Sequence, residues 1–168
     1  MPGEPEAAVL YARVSTKKQA DAGNLERQMK RLRQYARGEG YIIKAEFTDV
    51  ASGLNQKRRG LANVLKLAVQ GEYKKLLIAS PDRLARFGYS YIERNLKYCG
   101  VEVIAIAEEE LDDTQTELVR DLLSIVTSFS ARLYGARGDK KVRQGLRELI
   151  AGVEQDEQTA KEIQEEAD

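Results

Sequence analysis

Ala7-Ala-Val-Leu-Tyr-Ala-Arg-Val-Ser-Thr16 decides how this chain is read. Its first eight residues are apolar apart from one arginine and rich in strand formers, which predicts a buried strand over 7–14. On an extended chain alternate side chains leave the same face, so Arg13 and Ser15 share one side. A serine beside an arginine at a strand end has the makings of a nucleophile. The chain contains no histidine, so the imidazole base of the common serine hydrolases is excluded.

Working outward, Leu25, Met29, Leu32 and Ala36 recur at helical spacing, with a stop at Gly38 and Gly40. Tyr41 to Phe47 reads as a second strand, and Asp49 to Lys57 as a polar loop. Leu61, Val64, Leu65 and Ala68 mark another helix, ended near Gly71, and Leu76 to Ala79 a compact core strand. Pro81 breaks the chain before Asp82-Arg-Leu-Ala-Arg-Phe87. A helix through Tyr91, Asn95 and Tyr98 ends at Gly100, and Val101 to Ile106 is the fourth strand.

Strand and helix thus alternate four times. That predicts an α/β domain: a central, mostly parallel sheet of four to five strands, helices on both faces, and a long C-terminal helix from about Glu117. Ligands of such sheets gather at the carboxyl ends of the strands. Ser15 follows strand one and Asp82-Arg83 follows strand three, so both fall on one rim although 67 positions separate Ser15 from Asp82.

With 168 residues there is room for one domain with a good core. The expected layout is a disordered 1–6, a core over 7–113, a long helix over 114–150, and an acidic tail over 151–168 that is helical or disordered. No apolar run approaches the roughly 18 residues of a membrane span, and the lone Cys99 suggests a reducing cytoplasm. Net charge is zero, with 27 basic and 27 acidic residues. The average hides a basic stretch, Arg132, Arg137, Lys140, Lys141, Arg143 and Arg147, ahead of the acidic tail.

The chain has no Gly-x-Gly-x-x-Gly, no phosphate loop and no His/Cys metal spacing, so no metal or cofactor is expected. Arginines stand in their place. Arg13, Arg58 after strand two, and Arg83 and Arg86 after strand three all belong to the same rim. Guanidinium groups stay protonated, match phosphate oxygens with planar donors, and stabilise charge that builds as a hydroxyl attacks. Asp82 could orient the guanidinium of Arg83 or take part in proton transfer.

These residues are recognisable as a set. Tyr11-Ala-Arg-Val-Ser-Thr16, Gln19, Gln28, Asp49-x-Ala-Ser-Gly53, Arg58-x-Gly-Leu61 and Asp82-Arg-Leu-x-Arg86 resemble, in this order, the catalytic domain of the serine recombinases, with its resolvase-like fold. The resemblance runs from about Val9 to Arg147. Arg86-Phe-Gly-Tyr89, Gly100-Val-Glu-Val103 and the stretch from Glu117 to Gly135 look like the serine transposases of small insertion sequences.

The resemblance implies that Ser15 attacks a DNA phosphate, making a 5′-phosphoserine link and a free 3′-hydroxyl. Arg13, Arg58, Arg83 and Arg86 would activate that phosphate and Asp82 would assist. Tyr11, Gln19, Gln28, Asp49 and Ser52 would support the site. It implies homodimers, and a tetramer during strand exchange, joined through Leu118, Leu122, Ile125, Phe129 and Leu133. The basic stretch from Arg132 to Arg147 would track DNA, in the nucleoid of a cytoplasm. Relatives from insertion sequences carry a helix-turn-helix domain before the catalytic one, whereas here strand one begins by Ala7. The expectation is therefore a catalytic fragment that mobilises an insertion sequence. The alternatives are a resolvase or invertase, a non-catalytic DNA-binding regulator, and a nucleotide-binding flavodoxin-like protein.

Overall fold

The computed structural model describes residues 3–55, 57–106 and 112–167, with side chains at only part of the last segment. The elements are β1 (Ala7–Val14), α1 (Lys17–Asp21), α2 (Asn24–Gly38), β2 (Ile42–Val50), α3 (Arg59–Val69), β3 (Lys75–Ile78), α4 (Pro81–Leu84), α5 (Tyr89–Tyr98), β4 (Glu102–Ala105) and α6 (Asp112–Ala167). Two compact units divide the chain, Met1–Glu110 and Leu111–Asp168.

In the first unit four strands form one parallel sheet in the order β2-β1-β3-β4. Beginning at β1, the chain adds β2 on one side and returns to add β3 on the other. The loops leaving β1 and β3 therefore diverge to opposite faces and open a crevice between the strand ends, where ligands of open α/β sheets bind.

The central strand explains why the opening stretch is so apolar. Val9 and Tyr11 pack on one face with Leu61, Val64 and Ala68 of α3 and Leu96 of α5. Ala8, Leu10 and Ala12 pack on the other with Met29, Leu32 and Ala36 of α2. Both faces of β1 are covered, as a central parallel strand requires. The edge strand β2 instead alternates between exposed and half-buried positions along most of its length.

Three boundaries differ from the sequence reading. β2 continues through Asp49 and Val50, which pair with Arg13 and Val14, so the loop begins at Ala51. Pro81 occupies the first turn of the short helix α4 and starts it, because the missing N–H of proline is harmless there. α1 was not foreseen. On α5, Tyr91, Asn95 and Tyr98 lie on the solvent side, while Leu96 is buried and Ile92 half-buried.

Gly60 shows how tightly α3 meets the sheet. A Cβ there would sit 2.7 Å from the Thr48 carbonyl oxygen and 2.8 Å from an Asp49 carboxylate oxygen. Alanine ordinarily gains roughly 1 kcal/mol over glycine within a helix. Here the clash is with backbone, and Gly60→Ala is expected to lower stability by about 1–3 kcal/mol. A urea midpoint that rises would show that α3 can back away from β2.

In the second unit α6 is helical on both sides of Gly135, whose φ of 68° and ψ of −171° interrupt it. The acidic stretch after Gly152 continues the helix to Ala167. Leu118, Leu122, Phe129 and Leu133 are exposed, and Ile125 is half-buried. Arg132, Lys140, Lys141 and Arg147 are exposed; Arg137 and Arg143 fall outside the described side chains. No described helix is long and apolar enough to cross a membrane.

Candidate active site

The sheet order delivers the expected rim. Arg13 ends β1 with its side chain wholly buried, and its guanidinium spans the crevice. Nη1 donates to the Ala51 carbonyl at 2.9 Å and reaches Ser15 Oγ at 3.4 Å. Nε donates to the Arg83 carbonyl at 3.1 Å and Nη2 to the Asp82 carbonyl at 2.6 Å. One cation thus ties together the chain after β1, the loop after β2 and the helix after β3. The shared face inferred for Arg13 and Ser15 is the geometry seen.

β1 pairs with β3 only over Ala8–Leu10. Further along, α2 supplies a substitute. Gln28 accepts from the Arg13 N–H and donates to the Arg13 carbonyl, both at 3.0 Å. Its amide therefore completes the pairing of a buried backbone that would otherwise carry unsatisfied polar groups.

Ser15 is half-buried at the head of α1. Its N–H donates to Gln19 Oε1 at 3.0 Å. Gln19 and Thr16 cap the helix reciprocally: the Thr16 N–H donates to Gln19 Oε1, and the Gln19 N–H to Thr16 Oγ1. This is the Ser/Thr-x-x-Glu/Gln capping box, present in the sequence as Thr16-Lys-Lys-Gln19. That spacing is the signal by which α1 could have been found.

Asp49 does for α3 what its own first residue does not. Arg58, which precedes the helix at the N-cap position, makes no side-chain cap bond, and Asp49 reaches across from β2. Its Oδ1 accepts from the Gly60 N–H at 2.8 Å, and Oδ2 from the Leu61 N–H at 2.9 Å. The charge lies at a helix N-terminus, where it is favoured. Oδ2 also accepts from the Tyr11 hydroxyl at 2.8 Å, and that hydroxyl accepts from Arg58 Nη1 at 3.0 Å. Burial, with the Asp49 contact adding to it and Arg58 opposing, pushes the Tyr11 phenol far above its ordinary value. It therefore stays protonated and serves as a donor.

Arg58 is buried and turned inward as well. Besides Tyr11, it donates to the Asn55 carbonyl at 2.9 Å, the Arg83 carbonyl at 3.2 Å, and the Leu84 carbonyl. Asp49→Asn replaces one acceptor oxygen by a donor facing donors. It is expected to lower stability by about 1–3 kcal/mol, read from urea unfolding. An unchanged midpoint would mean that α3 needs no cap from β2.

Asp82 was read as a partner for its neighbour Arg83. Instead its carboxylate pairs with Arg86 at 3.0 Å, four residues on and just beyond the end of α4. Arg83 is buried. Ser52 shapes the loop after β2, accepting the Leu54 N–H at 3.1 Å on Oγ. All the predicted site residues of the first unit therefore lie on one rim or directly brace it. The partners that sequence could not reveal are the backbone carbonyls of Ala51, Asn55, Asp82, Arg83 and Leu84. Among the described residues no group of three or more His, Cys, Asp or Glu side chains could hold a metal ion.

Chemically, this is a hydroxyl held next to a buried guanidinium, with Arg58 sharing the Arg83 carbonyl beside it, an arrangement that suits attack on a phosphate. The family model for the resolvase N-terminal domain matches residues 8–148. The C-terminal catalytic domain of ISC1926 TnpA, an IS607-like serine recombinase, is 41% identical with a TM-score of 0.80, covering 86% of this chain and 99% of that one. A serine recombinase from Sulfolobus solfataricus is 36% identical with a TM-score of 0.70, covering 87% and 99%. A protein of Acanthamoeba polyphaga mimivirus, R771, described as a resolvase, is 37% identical over 131 residues. That match takes in 77% of this chain and 65% of the relative, so the chain spans about two-thirds of the relative's length. The chain belongs to the resolvase family and has the fold of its serine recombinase catalytic domains.

Proposed function

We propose that the chain is the catalytic domain of an insertion-sequence transposase that cuts and rejoins DNA through Ser15. The observation that carries this reading is the contact of the buried Arg13 guanidinium with Ser15 Oγ at the crevice between β1 and β3.

In the proposed reaction Ser15 Oγ loses its proton and attacks the scissile phosphorus. The bond to the 3′-oxygen breaks, and that oxygen leaves as a hydroxyl after taking up a proton. The 5′-phosphate is then esterified to Ser15. Rejoining reverses each step with the 3′-hydroxyl of another strand. One phosphodiester is exchanged for another, so the bond energy is conserved and no nucleotide hydrolysis is needed.

Arg13 would stabilise the oxyanion charge nearest Ser15, and Arg58, Arg83 and Arg86 the charge on the remaining phosphate oxygens. Asp82 would set the direction of Arg86 through their ion pair. Arg13 and Arg58 give their donors to rim carbonyls. A phosphate would take over some of those donors, trading neutral acceptors for a charged one with stronger hydrogen bonds.

DNA is the partner, and the basic residues of α6 would follow its backbone with salt-sensitive affinity. The exposed apolar residues Leu118, Leu122, Phe129 and Leu133 support pairing of copies as dimers and, in strand exchange, tetramers. The direct test is to incubate the chain with supercoiled DNA bearing element ends and to look for protein bound to DNA after denaturation. A band resistant to detergent is expected; its absence over a range of DNA sequences and protein concentrations contradicts the proposal.

A further inference from the structure

Of the run Arg86-Phe-Gly-Tyr89 only Arg86 has a share in the chemistry above, yet the backbone of the whole run is pinned on both sides. The Arg86 N–H donates to the Gly53 carbonyl at 3.3 Å, and the Ala85 N–H to the Pro81 carbonyl at 3.2 Å. The two loops touch so closely that a Cβ at Gly53 would lie 3.2 Å from the Arg86 Cβ and 3.1 Å from an Arg13 nitrogen. On the far side, Gly88, at a φ of 76°, accepts the N–H groups of Tyr91 and Ile92 at the start of α5. Phe87 sits between these anchors with 63% of its surface exposed.

Beside it opens a cleft of about 420 Å³, within the range of small-ligand sites. Leu61, Leu65 and Ile92 give it apolar lining, and Arg58 and Asn55 give it polar lining. Arg58 belongs at once to the cleft and to the network around Ser15, for it shares the Arg83 carbonyl with Arg13. Through Arg58 the cleft therefore borders the network that contacts Ser15, and it offers an exposed phenyl ring and an apolar wall. Cationic groups for the backbone together with an aromatic platform for the base are how proteins grip unpaired nucleotides without reading sequence.

We propose that this cleft is a stacking subsite for an unpaired nucleobase next to the phosphate that Ser15 attacks, with Phe87 as the platform. The inference rests on the proposed function for DNA as the substrate. Cleavage leaves an end whose last base has lost a stacking neighbour, and the subsite would hold that end in place for rejoining.

The test compares two dye-labelled pentanucleotides at low salt by fluorescence anisotropy. One has abasic sites throughout, and the other is identical but for a single central adenine. The chain is expected to bind the adenine-bearing strand about tenfold more tightly. Phe87→Ala should erase that preference without altering affinity for the abasic strand, and Phe87→Tyr should keep it. Should the alanine variant fail a circular dichroism check, Phe87→Leu takes its place. Ser15→Ala should leave the preference intact, which separates failure of this subsite from failure of the covalent chemistry. Equal binding of both strands by the parent, no binding of either, or a preference that survives loss of the ring overturns the proposal. Loss of self-association in Phe87→Ala with the base preference unchanged would assign the cleft to a second copy of the chain, and overturns it too.

Discussion

Ser15→Ala is expected to abolish covalent attachment to DNA while leaving the fold intact. The hydroxyl makes one hydrogen bond in the structure, a long one of 3.4 Å from Arg13, and its residue is only half-buried. What anchors the segment is the backbone: the Ser15 N–H on Gln19, and the Thr16–Gln19 capping box. Neither uses the Ser15 side chain. Stability should therefore change by no more than about 0.5 kcal/mol, as for ordinary surface positions. The chemical loss is complete, because alanine has no atom to form the ester. Denaturing gels of the reaction, read beside urea unfolding, check both halves. Adduct at the parent's level would remove Ser15 from the mechanism. A large drop in stability would mean that the hydroxyl is structural.

Arg13→Ala is expected to fail in a different way, losing adduct and stability together. Its guanidinium is buried and joins Ser15 to the carbonyls of Ala51, Asp82 and Arg83. Removing it leaves buried acceptors without donors, each at about 1–3 kcal/mol, and opens a cavity beside the core. A total of about 3–5 kcal/mol is the expected scale, since water entering the gap recovers part of the loss. Arg13→Lys separates the two roles. A lysine keeps the charge but cannot span three carbonyls with a fork of donors, so it should recover part of the stability and little of the adduct. A lysine variant with full adduct would mean that charge alone suffices. An alanine variant as stable as the parent would mean that the rim is held together without Arg13.

Much of this was legible before any coordinates. β1 announced itself as a run buried on both faces, and the stripes Leu25-Met29-Leu32-Ala36 and Leu61-Val64-Ala68 carried the helical period. Four alternations of strand and helix then put Ser15 and Asp82 on one rim by topology alone. What stayed hidden has physical reasons. Backbone carbonyls leave no mark in a sequence, so the partners of Arg13 and Arg58 could not be read. Asp49 looked like a loop residue because it is polar, although it closes a strand and caps a distant helix. Asp82 was assigned to its neighbour Arg83, but α4 ends at Leu84 and Ala85 is extended, and it is Arg86, beyond that break, whose guanidinium meets the Asp82 carboxylate; no sequence period announces such a break. α4 and α1 are too short to show a period, and only their caps, Pro81 and the Thr16–Gln19 spacing, could have announced them.

The measurement closest to the central claim is to locate the DNA link on the chain. The covalent adduct would be digested with nuclease and protease, and the peptides weighed. Mass added by a 5′-nucleotide on Ser15, and only there, is the predicted result. A nucleotide attached at another residue, or cleaved DNA with unmodified Ser15, would contradict the account.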